Sequence, residues 1–269
     1  TDDLAPSLIY LVKDNINGNE YVLKAEPINI AAPQIYNEMN IIRSLTNNID
    51  TDIVKELIKD KSIKKITYGI PKIRLVSNQR SDMIMYIDEN KNIKLRMFLQ
   101  EKLDTSLRQL INNKKFSVSE IKKMAIQLIE IIQFIHSKGI IHLDIKPANI
   151  MKKNNHFYII DYGISKTWVI NKYDSKTRTS KNVFRKSIQS GEGTYEYRSI
   201  DGDLANIKID KKKFISRNND IEALGYILYE MYFGSLPWSK YKPTEIQKIV
   251  DTKKNSVKNL SSIKDKGLR

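Results

Sequence analysis

Two carboxylates, an amide and a lysine stand close together in this chain. Asp144, Lys146 and Asn149 fall within His142-Leu143-Asp144-Ile145-Lys146-Pro147-Ala148-Asn149, and Asp161-Tyr162-Gly163 begins twelve residues further on. The set suits phosphoryl transfer. A carboxylate can orient a substrate hydroxyl, carboxylate and amide oxygens can hold magnesium, and an ammonium can oppose the charge of a moving phosphate. Asp, Asn and Lys populate loops of every kind, so no member is informative alone. The grouping at this spacing, between short apolar runs, carries the reading.

Elements must position such a set, and the sequence punctuates them. Leu8 to Val12 and Tyr21 to Lys24 read as two strands around a turn at Asn15 to Gly18. Pro33 suits a first helical turn, and Ile35, Met39, Ile42 and Leu45 recur at helical spacing, which leaves Glu38 on a face a neighbour could meet. Strands are expected at Ile70 to Val76, Met83 to Ile87 and Leu95 to Leu99, with a helix near residues 51 to 60. After Leu103 the pattern turns helical. Ser117 with Glu120 forms a capping-box signature ahead of an apolar stripe that ends at Gly139. A further helix is predicted from Asn218 to Phe233, with Pro237 beyond its end. Short strands are expected at Ile140 to His142, Ile150-Met151 and Phe157 to Ile160, then a long polar loop from Ser165 to Glu192. The fold class is α+β, with a small β-rich part followed by a mainly helical one.

Composition narrows the chemistry. The chain has 269 residues, no cysteine, and 46 Lys+Arg against 31 Asp+Glu, for a net charge of +15. Disulfides, thiolate zinc sites and a Cys nucleophile are excluded. With no apolar run of about 18 residues and no apolar signal core, a soluble intracellular protein is expected. The positive charge is open between a solvating surface and attraction of nucleic acid or acidic proteins.

The motifs resemble the eukaryotic protein kinase family, whose catalytic loop has the form H-x-D-x-K-x-x-N and whose metal loop is D-F/Y-G. The resemblance covers nearly the whole chain and implies a bilobal kinase domain over 1–269, with an N-lobe to residue 100, a hinge at 101–104 and a C-lobe from 105. It implies ATP and Mg2+ as cofactors. By the same resemblance Asp144 is the catalytic base and Lys146 the γ-phosphate stabiliser, with Asn149 and Asp161 as magnesium ligands. Lys24 looks like the strand lysine that holds the α and β phosphates, with Glu38 its helix partner. Ile9, Glu101 and Leu103 are placed around the nucleotide, with Gln100 at the position controlling access behind the adenine. A finer likeness is to the casein kinase 1 and vaccinia-related kinase branch, carried by Gly69-Ile70-Pro71-Lys72-Ile73, Ser106 to Leu110, Gly193-Thr194, Ser199-Ile200-Asp201 and the run Ser216 to Trp238. In that run Asp220 looks like a structural anchor for the catalytic-loop backbone.

Four departures shape the expectation. Asp2 to Ser7 contains no glycine where the family's phosphate loop belongs, so the grip on ATP is expected to be looser. Thirty-one residues follow Trp238, which implies a C-lobe that is shortened or minimal. Leu143 replaces the arginine that receives an activation-segment phosphate in other kinases, so activity should not depend on that phosphorylation. Glu196 replaces an arginine that binds phosphorylated substrate, which argues against phosphate-primed recognition through that residue. The expected function is a serine/threonine kinase acting on protein hydroxyls, and the alternative is a pseudokinase scaffold. A nucleic-acid module has only the charge in its favour, so such association is at most secondary. Between Ile164 and Glu192 lie seven basic residues, Lys166, Lys172, Lys176, Arg178, Lys181, Arg185 and Lys186, against Asp174 and Glu192. That concentration turns the expectation towards acidic protein substrates. A monomer without membrane attachment is expected, cytoplasmic, or in the host-cell cytoplasm or virion if the chain is viral, as the branch's viral members and the Lys, Asn and Ile bias imply.

Overall fold

The computed structural model describes residues 7–46, 69–74, 84–88, 93–174, 178–184, 192–206 and 215–258. The expected helix at 51–60 and the glycine-free stretch 2–6 lie outside them. Strands β1 (Leu8–Lys13) and β2 (Glu20–Pro27) form an antiparallel hairpin whose turn is set by Asp14, which accepts from Ile16 N at 2.9 Å and Asn17 Nδ2 at 2.8 Å. Helix α1 (Gln34–Thr46) buries Ile35, Met39, Ile42 and Leu45, the stripe the sequence predicts, together with Glu38. Pro33 stands just before the first helical residue, its carbonyl accepting Asn37 N at 3.3 Å, so it precedes the first turn and does not sit in it. The buried Glu26 carboxylate caps this end, accepting from Ile35 N at 2.9 Å and Tyr36 N at 3.0 Å, two amides with no partner inside the helix.

Strands β3 (Ile73–Arg74), β4 (Ile84–Asp88) and β5 (Ile93–Glu101) complete an antiparallel sheet in the order β1-β2-β5-β3, with β4 also on β5. The register sets Lys24 opposite both Ile9 and Phe98.

The remainder is mainly helical. Short strand β6 (Thr105–Ser106) leads into α2 (Leu107–Asn113) through a Ser106–Gln109 capping box, and α3 (Val118–Ser137) opens with the Ser117–Glu120 box. Strands β7 (Ile140–Ile141), β8 (Ile150–Lys153) and β9 (His156–Ile159) follow, with one 3-10 turn at Pro147–Asn149. The stretch expected as a polar loop is partly β-structured: β10 (Lys166–Thr167) pairs with β7, and β11 (Val169–Asp174) pairs with β12 (Thr179–Phe184). Lysines and asparagines inside both strands of that hairpin hid its apolar ends, Val169-Ile170 and Val183-Phe184, from pattern reading. Helices α4 (Ile200–Asn206), α5 (Asn218–Phe233) and α6 (Ile246–Lys258) close the described chain, and α5 ends as predicted with Gly234 at φ 88°. Leu128, Ile131, Ile132 and Ile135 of α3 pack with Leu224 and Ile227 of α5 in one core that also takes in Ile41 and Ile42 of α1. The helix bearing Glu38 is thereby fastened to the helical part.

Candidate active site

Residues 142–149 connect β7 to β8, and their shape is imposed from beneath. Asp220, buried in the first turn of α5, accepts from His142 N at 2.8 Å and Leu143 N at 2.9 Å, and lies 2.8 Å from His136 Nε2. These bonds hold Leu143 at φ 71°, a conformation that costs a non-glycine residue about 1–3 kcal/mol unless its surroundings fix it. His142 braces the other side: its Nδ1 accepts from Asp144 N at 3.2 Å, which puts the ring proton on Nε2, 3.1 Å from Ile160 O. Tyr162 packs edge-on against this ring at 4.8 Å. The structural anchor inferred for Asp220 and the loop it anchors therefore meet directly.

The loop side chains converge on Asp144. Its Oδ1 accepts from Thr194 N at 2.9 Å and Thr194 Oγ1 at 2.8 Å, and its Oδ2 accepts from Asn149 Nδ2 at 3.0 Å and pairs with Lys146 Nζ at 2.7 Å. Lys146 also donates to Thr194 Oγ1 at 2.8 Å. Burial alone would push the Asp144 carboxyl up, but the Lys146 ammonium and the two Thr194 donors outweigh it and hold the pKa below the ordinary aspartate value. Gly193 lets Thr194 come this close, since a Cβ there would stand 2.5 Å from Leu143 O.

Asn149 spends its amide N–H groups on Asp144, donating to the backbone O at 2.9 Å as well as to the carboxylate, so its Oδ1 is left to face a cation. The β8–β9 ladder pairs Ile150 with Ile159, and Ile160 N donates to Asn149 O at 2.9 Å, which sets Asn149 beside the start of Asp161-Tyr162-Gly163. Among the described residues no group of three or more His, Cys, Asp or Glu forms a metal cluster. One amide oxygen and one carboxylate nevertheless fit a magnesium ion that keeps water and substrate phosphates as its other ligands.

Lys24 and Glu38 meet at 2.6 Å, both buried. Burial raises the Glu38 pKa; Lys24 and a hydrogen bond from the Tyr162 backbone oppose it, while the Asp161 charge adds to it. Asn37, beside it on α1, donates to Tyr162 O, Gly163 O and Ser165 O at 3.2, 2.8 and 3.1 Å. One helix therefore contacts the strand lysine and the Asp161 loop together. Ile9 is 64% exposed opposite Lys24, and Leu103 is buried two residues past the end of β5. The Glu101 side chain is occupied, accepting from Lys72 N at 2.9 Å and pairing with Lys153 at 3.0 Å, and its backbone N donates to Lys72 O at 2.9 Å, so neither its carboxylate nor its amide N–H is open to a ligand.

Sequence reading missed what holds the segment after Gly193. Lys253 of α6, fully buried, donates to Tyr195 O at 3.0 Å, Arg198 O at 2.6 Å and Asp203 Oδ2 at 2.7 Å. Trp238 Nε1 donates to Glu196 O at 2.7 Å, and Arg198 donates to Gly193 O. Arg108 pairs with Glu230 at 2.7 Å and both contact the Tyr197 hydroxyl. Gly193-Thr194 was singled out in the sequence only as part of a likeness, with no role for Thr194, and nothing distinguishes Lys253 from the surface lysines.

Residues 50–268 match the family model for the protein kinase domain, a span that contains Asp144, Lys146, Asn149 and Asp161 and begins after Lys24 and Glu38. The chain is also similar to the probable serine/threonine-protein kinase FPV212 of Fowlpox virus (strain NVSL), 34% identical over 175 residues, covering 64% of this chain and 53% of that relative. The aligned part is thus about half the length of the curated relative.

Proposed function

The chain belongs to the protein kinase family, and on that premise we propose that it is a serine/threonine kinase transferring the γ-phosphoryl group of ATP to protein hydroxyls. The observation that carries the proposal is the single hydrogen-bonded cluster of Asp144, Lys146, Asn149 and Thr194. In this reading Asp144 orients the substrate hydroxyl and accepts its proton; its lowered pKa keeps it ionised for that task. Lys146 supplies positive charge where the phosphoryl group passes, and Lys24, steered by Glu38, holds the α and β phosphates. Ile9 and the backbone of Glu101 to Leu103 enclose the adenine. Asn149 and Asp161 would hold Mg2+, which when bound neutralises phosphate charge. The domain divides in this proposal into an N-lobe of residues 1–100, a hinge at 101–104 and a C-lobe of residues 105–269.

Independence from activation-segment phosphorylation is supported by what surrounds Leu143. It packs against Ile141, Trp168 and Ile215, an apolar cluster with no need of a phosphate. We assign the chain to the casein kinase 1 and vaccinia-related kinase branch and to a virus, on the motifs above and the Fowlpox virus relative, with a monomer in the host cytoplasm or virion as its setting. No described helix is long and apolar enough to cross a membrane. Acidic protein substrates suit the basic segment, and neutralising Lys181, Arg185 and Lys186 should raise substrate KM more than it lowers kcat.

The test is phosphotransfer from Mg-ATP to casein. Asp144→Asn is expected to lose at least about a hundredfold in kcat, and a variant as active as the parent overturns the assignment. If millimolar Mg-ATP leaves the melting temperature of the parent unchanged, the pseudokinase scaffold becomes the better reading.

A further inference from the structure

Asn37 is a half-buried amide on α1 that the roles above leave without a task. Asparagine is a weak helix former, so the helix itself does not call for it at this position. Its Nδ2 donates to three carbonyl oxygens of one short stretch, those of Tyr162 at 3.2 Å, Gly163 at 2.8 Å and Ser165 at 3.1 Å. An amide carries two N–H groups, so at least one of them is shared between two carbonyls. The stretch is a tight turn, closed by Ser165 N donating to Tyr162 O at 3.1 Å. It begins directly after Asp161, which stands at φ 68°, a left-handed conformation that a non-glycine residue keeps only where its surroundings impose it.

Helix, turn and carboxylate are packed closely enough to move together. A Cβ added to Gly163 would lie 3.0 Å from Gln34 Cβ on α1 and 3.4 Å from Asp161 Oδ1. The far end of the turn joins the catalytic loop, since Ser165 Oγ donates to His142 O at 3.1 Å and the His142 ring accepts from Asp144 N. Without the Asn37 donors the carbonyls would turn to water, which reaches this half-buried site, and Asp161 would be free to relax out of its left-handed conformation. Lys24 and Glu38 would keep their own contact. We propose that Asn37 is a positioning residue, which by gripping the turn after Asp161 holds that carboxylate in the direction in which it serves Mg2+. The inference rests on the reading of Asp161 as a metal ligand and deepens it, since it names what fixes the ligand in place.

Calorimetric titration of the 269-residue chain with ATP, once in excess Mg2+ and once in EDTA, tests it. The readout is the gain in ATP affinity that Mg2+ brings. In Asn37→Ala that gain should fall about tenfold, the usual cost of removing a group that orients a metal ligand, while the metal-free affinity stays within about twofold of the parent. Asn37→Leu keeps the bulk of the side chain without its donors and should behave alike, which covers the case in which alanine loosens the helix. A magnesium gain equal to the parent's in either folded variant overturns the inference. So does an equal loss with and without Mg2+, which would make Asn37 a support of the fold alone. If the parent binds ATP and gains nothing from Mg2+, the metal reading of Asp161 fails, and this inference with it.

Discussion

Replacing Lys253 by methionine tests how far the last described helix governs the catalytic loop. The ammonium is fully buried and makes three bonds, to Tyr195 O, Arg198 O and Asp203 Oδ2. Burial lowers its pKa and raises that of Asp203, while each charge offsets the other's shift. Lys253→Met keeps the length of the side chain but leaves Asp203, 1% exposed, with Arg198 at 3.3 Å as its only remaining cation among the described residues. Removing one partner of a buried pair costs about 3–5 kcal/mol, which for a chain of this size lowers the melting temperature by roughly 10 °C. The two carbonyls released, of Tyr195 and Arg198, flank Tyr197, and Tyr195 directly follows Thr194, the residue that donates twice to Asp144. The folded fraction should therefore also lose kcat, with KM for ATP nearly unchanged, since Lys24 and Glu38 are untouched. Urea denaturation and steady-state kinetics at about 15 °C measure both effects. A second variant, Lys253→Met with Asp203→Asn, removes the orphaned charge and should recover about half of the stability but not kcat. A melting temperature within about 2 °C of the parent together with an unchanged kcat would show that Lys253 does not hold this segment in place.

Three further outcomes are expected. Thr194→Val removes a donor that favours the charged form of Asp144, so the Asp144 pKa rises and the acid limb of kcat/KM moves to higher pH by about one unit; an unmoved limb excludes Asp144 as the titrating base. Tyr162→Phe deletes a hydroxyl that is buried without a partner and keeps the ring contact with His142, so urea denaturation should give stability equal to the parent or up to about 2 kcal/mol higher; a loss of more than about 1 kcal/mol would reveal a donor or acceptor for that hydroxyl. Glu26→Ala uncaps α1 and strips Arg96 of a partner at 3.3 Å, costing about 2 kcal/mol. It should also raise KM for ATP, because α1 carries Glu38, and a stability loss with KM unchanged would separate the cap from the Lys24–Glu38 pair.

What could be read from the chain was local. Asp144, Lys146 and Asn149 lie within six residues of one another, and the loop that carries them needs only its flanking strands to present them together. Helices α3 and α5 announced themselves because their apolar stripes are long and their ends carry Ser117, Glu120, Gly234 and Pro237. Interactions that cross the chain left no such mark. Glu26 reads as an ordinary strand-end carboxylate until the start of α1, nine residues on, is seen to need two acceptors. Lys253 is one lysine among many, and only the fold reveals that it reaches fifty residues back to Asp203 with none of its surface exposed. The β11–β12 hairpin failed a different test, since strands dotted with Lys and Asn break the alternation on which strand reading relies.

Leu143 draws these long-range contacts into one argument about control. An arginine at that position would place a charge among Ile141, Trp168 and Ile215, and a buried charge needs a partner, which a phosphate could supply. Leucine removes the need. The start of the segment is instead held by Trp168, whose backbone N donates to Gly139 O at 2.8 Å and whose indole N–H donates to His136 O at 3.1 Å, with the Arg217 guanidinium 4.2 Å over its ring. The far end is held by Lys253, Arg198 and Trp238. Both ends are thus fixed by side-chain hydrogen bonds to other elements of the fold. A phosphate added between them would find no arginine in the catalytic loop to receive it, so phosphorylating the segment should leave kcat where it was.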